Sequence, residues 1–124
     1  MPFEFEKLLV YQKSVALAAA VCAATRGFPR HYVFLANQLN RASVSVAANI
    51  AEGNGRFSPA DRRKFFGIAR GSLQECVPLL EIARRNGVLP SDVHAHVKAD
   101  LEQISRMLAG LIKSLRRPPA ESRE

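Results

Sequence analysis

An all-α fold, an antiparallel up-down-up-down four-helix bundle, is what three features of this 124-residue sequence predict. Apolar residues recur at three- and four-residue intervals over four long segments. Glycine and proline, seven of each, gather at a few places instead of punctuating the chain every ~8–12 residues as turns between short strands would. The links between the segments are about five residues long, which makes consecutive helices antiparallel neighbours. With 48% hydrophobic and 23% charged residues the composition is globular. The length suits one domain with its own core; residues 1–117 are assigned to the bundle and 118–124 to a disordered tail.

The first helix is expected from Phe5 to Arg26. Val10, Leu17, Val21 and Ala24 keep helical spacing, six alanines between Ala16 and Ala24 keep it thin, and Gly27 followed by Pro29 stops it. The second runs from Tyr32 to Gly53, with Leu35, Leu39, Ala42, Val46 and Ile50 on its core side, and Asn54 and Gly55 are expected to end it in left-handed conformations. A polar seam of Gln38, Ser45, Asn49 and Glu52 runs beside that stripe, and the other positions, such as Val44, Ala47 and Ala48, are small. A helix with so few solvent-type positions calls for more than one packing neighbour, its own bundle on one side and a second subunit on another.

Ser58-Pro59-Ala60-Asp61 opens the third helix with a serine cap, a proline at the first helical position and an acid that complements the dipole. Phe65, Ala69, Leu73, Cys76, Leu80 and Ala83 form its stripe, and Asn86-Gly87 ends it. Pro78 interrupts it, which predicts a kink and a Gln74 carbonyl unpaired within the helix. Pro90-Ser91-Asp92 starts the fourth helix with Ser91 as its cap. Val97, Leu101, Ile104, Leu108, Leu111 and Leu115 give the clearest periodicity in the chain, and Pro118-Pro119 ends it.

No apolar run reaches the ~18–20 residues of a membrane span, and the opening MPFEFEKL carries acids where a secretory signal carries bases. A cytoplasmic protein without a membrane role is expected. Cys22 and Cys76 read as small buried hydrophobes rather than a disulfide or a nucleophile.

Several runs together carry a family resemblance: Gln38-Leu39-x-Arg41-Ala42-Ser43-x-Ser45, then Asn49-Ile50-Ala51-Glu52-Gly53, with FEKLLVYQKS before them and Gly71-Ser72-Leu73 with Glu75 after. The chain resembles the four-helix bundle family named for the 23S ribosomal RNA intervening-sequence protein, in register over residues 3–89 and by pattern through the fourth helix. The resemblance implies an up-down four-helix bundle assembled into a homopentameric ring or barrel. The family also includes the accessory variability protein of diversity-generating retroelements, a basic pentamer that binds nucleic acid and associates with a reverse transcriptase, and the residues do not choose between that branch and the others. Pro78 departs from the family's uninterrupted third helix.

The residues themselves supply one functional clue, the placement of charge. Arg56, Arg62, Arg63, Lys64 and Arg70 face only Asp61 within their stretch, a net +4, and Arg106, Lys113, Arg116 and Arg117 add another +4 with no acid among them. The chain totals +7, so the remainder carries −1. In an antiparallel bundle the start of helix three and the finish of helix four share one end, and a basic end is the footprint of phosphate binding. Cations close to the end of helix four also satisfy its carbonyls, but Arg62, Arg63 and Lys64 sit where the helix dipole disfavours them, so that explanation does not reach them. Phe57, Phe65 and Phe66 lie among these cations and are read as core.

The seam of Gln38, Ser45, Asn49 and Glu52, with Ser43, Ser72 and Glu75, reads as a hydrogen-bond network that fixes helix register and subunit packing, with Arg41 as a partner for Glu52 or Glu75. Neither Ser43 nor Ser45 has a histidine at helical spacing to activate it. His94 and His96 are about 200° apart around a helix and His31 is alone, so no metal site or cofactor is expected. The expected function is a non-enzymatic, oligomeric accessory protein that contacts RNA or DNA phosphates. A scaffold or adaptor for a protein such as a polymerase is the alternative.

Overall fold

Leu39, Val46 and Ile50 expose no surface at all, and the helix that carries them packs against two others. The computed structural model describes residues 3–116; Arg117 and the expected tail over 118–124 lie outside the described residues. Among the described residues there are four α-helices: α1 (Leu9–Thr25), α2 (Val33–Asn54), α3 (Pro59–Arg85) and α4 (Ser91–Arg116). No strand occurs among the described residues. α2 lies against α1 and α3, and α4 closes the arrangement against the other sides of α3 and α1.

Each helix turns its expected apolar stripe inward, with local shifts. On α2 all five predicted positions, Leu35, Leu39, Ala42, Val46 and Ile50, are buried. On α3 the first aromatic of the stripe is Phe66, not Phe65, because 66, 69, 73, 76, 80 and 83 hold the three–four spacing from the start. On α4 Ile112 takes the inward position near the C-terminus, leaving Leu111 and Leu115 half-buried on its flanks.

The helix ends depart further from expectation. α1 begins at Leu9, and Glu4–Lys7 instead form a separate 3-10 turn. Leu8 is extended, the Phe3 amide donates to the Glu6 carboxylate at 2.7 Å, and the Phe5 ring meets Tyr11 edge-on at 4.9 Å, so the opening residues fold back on the bundle. A second 3-10 turn, Arg30–Tyr32, leads into α2, which runs one residue past Gly53. Neither Asn54 nor Gly55 is left-handed: Asn54 is helical, and Gly55 has φ −83° with its amide shared between the Ala51 and Glu52 carbonyls. Gly87 does supply a positive φ, +74°, where Val88 donates to the Ala83 carbonyl and Gly87 to that of Arg84, the Schellman end of α3.

Ser58 caps α3 as expected, accepting from the Asp61 amide at 3.1 Å. Ser91 is the first helical residue of α4 rather than its cap, and the Pro90 carbonyl takes the His94 amide at 3.0 Å. Pro78 does not end α3, which is continuous through it. Having no N–H, it leaves the Gln74 carbonyl without its usual partner four residues on.

Both cysteines are free. Cys76 is wholly enclosed, and burial, with Glu75 adding to it, pushes its thiol up to about 12, so it is a packing group rather than a nucleophile. Beyond the core, Thr25 of α1 donates to Asn40 of α2 at 2.8 Å, and the Tyr32 hydroxyl donates to Asn86 at 3.3 Å.

Gly53 lets α2 and α3 come close together. A Cβ there would stand 2.9 Å from the Phe66 ring and 3.1 Å from the Phe65 Cβ. Two effects oppose each other in Gly53→Ala: the helix gains up to about 1 kcal/mol, and overpacking against a buried ring costs about 1–3 kcal/mol. Because Phe66 is buried and a Cβ at 53 would fall 2.9 Å from its ring, overpacking should win, and urea denaturation should show a net loss of about 1–2 kcal/mol. Gly67→Ala, whose Cβ would meet nothing within 4 Å, should instead leave stability unchanged or raise it by up to about 1 kcal/mol.

Candidate nucleic-acid interface

The finish of α2, the start of α3 and the finish of α4 meet at one end of the molecule. The link Gly55–Ser58 joins the first two, and Arg63 joins the last two by donating from Nη1 to the Leu115 carbonyl at 2.8 Å. Of the nine predicted basic site residues, Arg56, Arg62, Arg63, Lys64, Lys113 and Arg116 lie at this end, Arg70 and Arg106 lie further along α3 and α4, and the ninth, Arg117, is outside the described residues.

Three of the eight are occupied by the fold. Arg56 pairs with Glu52 one turn earlier at 2.7 Å and lays its guanidinium over the Phe65 ring, 4.6 Å from the centroid, with its buried Nε unpartnered. Arg62 donates from Nε to the Arg56 carbonyl at 2.7 Å, closing the α2–α3 link. Arg63 satisfies a last-turn carbonyl of α4, one of the four that a helix cannot pair internally. The placement of Arg62 and Arg63 therefore has a structural cause after all. They start on a helix whose dipole disfavours them, but their guanidinium groups reach carbonyls that want a cation.

The other five, Lys64, Arg70, Arg106, Lys113 and Arg116, are exposed. Among the described residues none of them lies within ion-pair distance of a carboxylate. Arg70 and Arg106 sit roughly 15 Å in from the helix ends at 1.5 Å per residue, so the exposed charge runs about halfway down the outer faces of α3 and α4. Phe66 is core and Phe65 half-buried, but Phe57 is not core: its relative exposure is 101%. It falls in the link, outside any helical stripe, which helical periodicity does not describe.

The polar seam divides in the same manner. Ser45 and Ser72 bond to each other across α2 and α3 at 2.9 Å, and Asn49 donates to the Ser45 carbonyl and hydroxyl at 2.9 and 3.0 Å. Ser43 is buried and donates to the Asn40 carbonyl. Gln38, Arg41, Glu52 and Glu75 are exposed, and Glu52 meets Arg56 rather than Arg41 within the chain. Among the described residues no histidine bonds Ser45 or Ser72, and no cluster of three metal-ligating side chains forms. The sequence reading missed the group around Glu81, which accepts from Arg84 at 2.7 Å and Arg85 at 2.8 Å with His94 Nε2 at 3.3 Å. The Arg84 and Arg85 hydrogen bonds hold this carboxyl at about 2. The i, i+3 and i, i+4 spacing of the two arginines was its available signal.

The family model of the 23S rRNA-intervening sequence protein matches residues 6–110. Among solved structures the chain is similar to a protein of unknown function from the S23 ribosomal protein family of Bacteroides thetaiotaomicron. Identity is 23% and the TM-score 0.77, with 85% of this chain and 99% of that one covered, a likeness of fold. No curated protein matches the chain.

The division of the cations is measurable as stability. Arg63→Ala should cost about 1–2 kcal/mol in urea denaturation by orphaning the Leu115 carbonyl and removing a charge-assisted bond. Lys64→Ala, one residue on and exposed, should stay within about 0.5 kcal/mol of the parent. Equal effects would show that Arg63 does not hold the end of α4.

Proposed function

The chain belongs to the 23S rRNA-intervening sequence protein family, and from that premise we propose that it is a non-enzymatic, cytoplasmic homo-oligomer that binds RNA or DNA through phosphate contacts at its basic end. The observation that carries this reading is the set of five exposed cations, Lys64, Arg70, Arg106, Lys113 and Arg116, gathered on α3 and α4 without carboxylate partners among the described residues. Such a surface attracts a polyanion by releasing its condensed counterions and carries no base-specific pattern.

The helices are taken as antiparallel neighbours. The Arg63–Leu115 bond between the start of α3 and the finish of α4 supports this, as does the Tyr32–Asn86 bond between the start of α2 and the end of α3. Self-association is supported by outer faces with almost no charge. α1 has no charged residue between Lys13 and Arg26 and exposes Val15, Ala16, Ala19, Ala20 and Ala23, while α2 exposes Val44 and Ala48. A helix apolar on every side is normally buried on every side. In a pentameric ring five basic ends would act together on one strand. The same uncharged faces favour the second reading, a scaffold for a protein partner such as a reverse transcriptase.

Labelled RNA and DNA should bind with an affinity that falls steeply with salt, on a particle of about five chains by light scattering. Charge reversal of Lys64, Arg70 and Lys113 together should flatten the salt dependence by about one unit for each phosphate no longer neutralised, without changing the mass. Unchanged affinity in that variant sinks the phosphate-binding reading. An intact oligomer that ignores nucleic acid and retains a protein partner after nuclease treatment establishes the scaffold.

A further inference from the structure

We propose that Phe57 is a stacking platform for an unpaired base, so that the basic end takes single-stranded nucleic acid in preference to duplex. The inference rests on the phosphate-binding reading above and names the class of strand that end accepts.

Three aromatic rings occur between Arg56 and Phe66, and only one is left over. Phe66 is buried against the α2–α3 approach, and Phe65 is covered by the Arg56 guanidinium at 4.6 Å with Lys64 Nζ at 5.9 Å. Phe57 has no such cover and exposes its whole side chain. The backbone on both sides of it is nevertheless fixed. The Arg56 amide donates to the Gly53 carbonyl at 3.2 Å, and the Arg56 carbonyl accepts from Arg62 at 2.7 Å. Beyond the ring, Ser58 accepts the Asp61 amide on its hydroxyl and the Arg62 amide on its carbonyl. A ring with two rotatable bonds on a pinned backbone loses little freedom when a planar group lies on it.

The surroundings select that planar group. Phe57 lies between Arg56, whose charge Glu52 balances at 2.7 Å, and the first turns of α3, where Arg62, Arg63 and Lys64 outnumber Asp61, so whatever approaches the ring enters a net positive field. Protein interfaces are depleted of charge at their centres, and a second copy brings an equally basic end, so an apposed copy is repelled. A nucleotide offers both requirements at once, an anionic phosphate and a π-face. In a duplex the base faces are hidden by stacking, whereas in a single strand or loop they are open.

The test uses fluorescence anisotropy with the full chain and labelled oligouridylate, oligothymidylate and duplex DNA, each about 12 nucleotides or base pairs long. Phe57→Ala should lower affinity for both single strands about tenfold and for the duplex less than twofold. An effect confined to one single strand identifies RNA or DNA as the natural ligand and supports the proposal. The chain has no tryptophan, so Phe57→Trp adds a single reporter whose emission should be that of an exposed indole and be quenched by the single strands. Unchanged single-strand affinity in Phe57→Ala overturns the proposal, as does a loss equal or greater on the duplex. Blue-shifted emission before any nucleic acid is added, with Phe57→Ala lowering the mass of the oligomer, also overturns it and assigns the ring to a second copy. Salt-sensitive binding that ignores Phe57 removes only the stacking; absence of binding by the parent chain removes the phosphate-binding reading with it.

Discussion

The close approach of α2 and α3 where Gly53 faces Phe66 governs the arrangement of the whole basic end. With a hydrogen in place of a side chain at 53, the Phe66 ring can lie directly on α2. That packing sets which way α3 is rotated from its first turn, putting Phe66 inward and Phe65 on the flank. Phe65 then offers its face to Arg56, and Arg56 completes the arrangement with Glu52 one turn back. Phe57, in the short link between the helices, is left facing outward. A packing requirement deep in the molecule thereby places an aromatic ring among surface cations.

Net charge is a poor measure of binding capacity when some of the charge is structural. Arg62 and Arg63 sit at the wrong end of α3 for its dipole, yet each satisfies a carbonyl that would otherwise be poorly paired. Arg63 in particular links the first turn of α3 to the last turn of α4, so the two strongly basic segments are held together by one of their own cations. What remains for a polyanion is the exposed subset. At the finish of α3 the logic is reversed, since Glu81 gathers Arg84, Arg85 and His94 around one carboxylate. Arg84 and Arg85 are paired there, whereas Arg26 and Arg30 near the same end are exposed and, among the described residues, outside ion-pair distance of a carboxylate.

α1 is the other asymmetry. Its inner side supplies Val10, Leu17 and Val21 to the core, but its outer side is alanine and valine where a monomeric bundle would carry charge. No helix of the described residues is long and apolar enough to cross a membrane.

Four helices, their inward stripes and the Ser58 cap were legible because each depends on residues within one turn of each other. Ser45 and Ser72 were legible as members of a polar seam, but not as partners of each other. Tertiary structure decided the rest. Phe5 and Tyr11 meet only once the opening residues fold back, so the start of α1 had no local mark. Asn54-Gly55 has the composition of a left-handed helix end, yet α2 takes in Asn54 and closes on Gly55 in a right-handed conformation. Arg63 and Leu115 are 52 residues apart, and a side chain's choice between carbonyl and solvent depends on what the fold brings within reach. The sequence by itself determined where the charge lies along the chain; only the packing of α2, α3 and α4 determined which of that charge is tied up inside the protein and which faces outward.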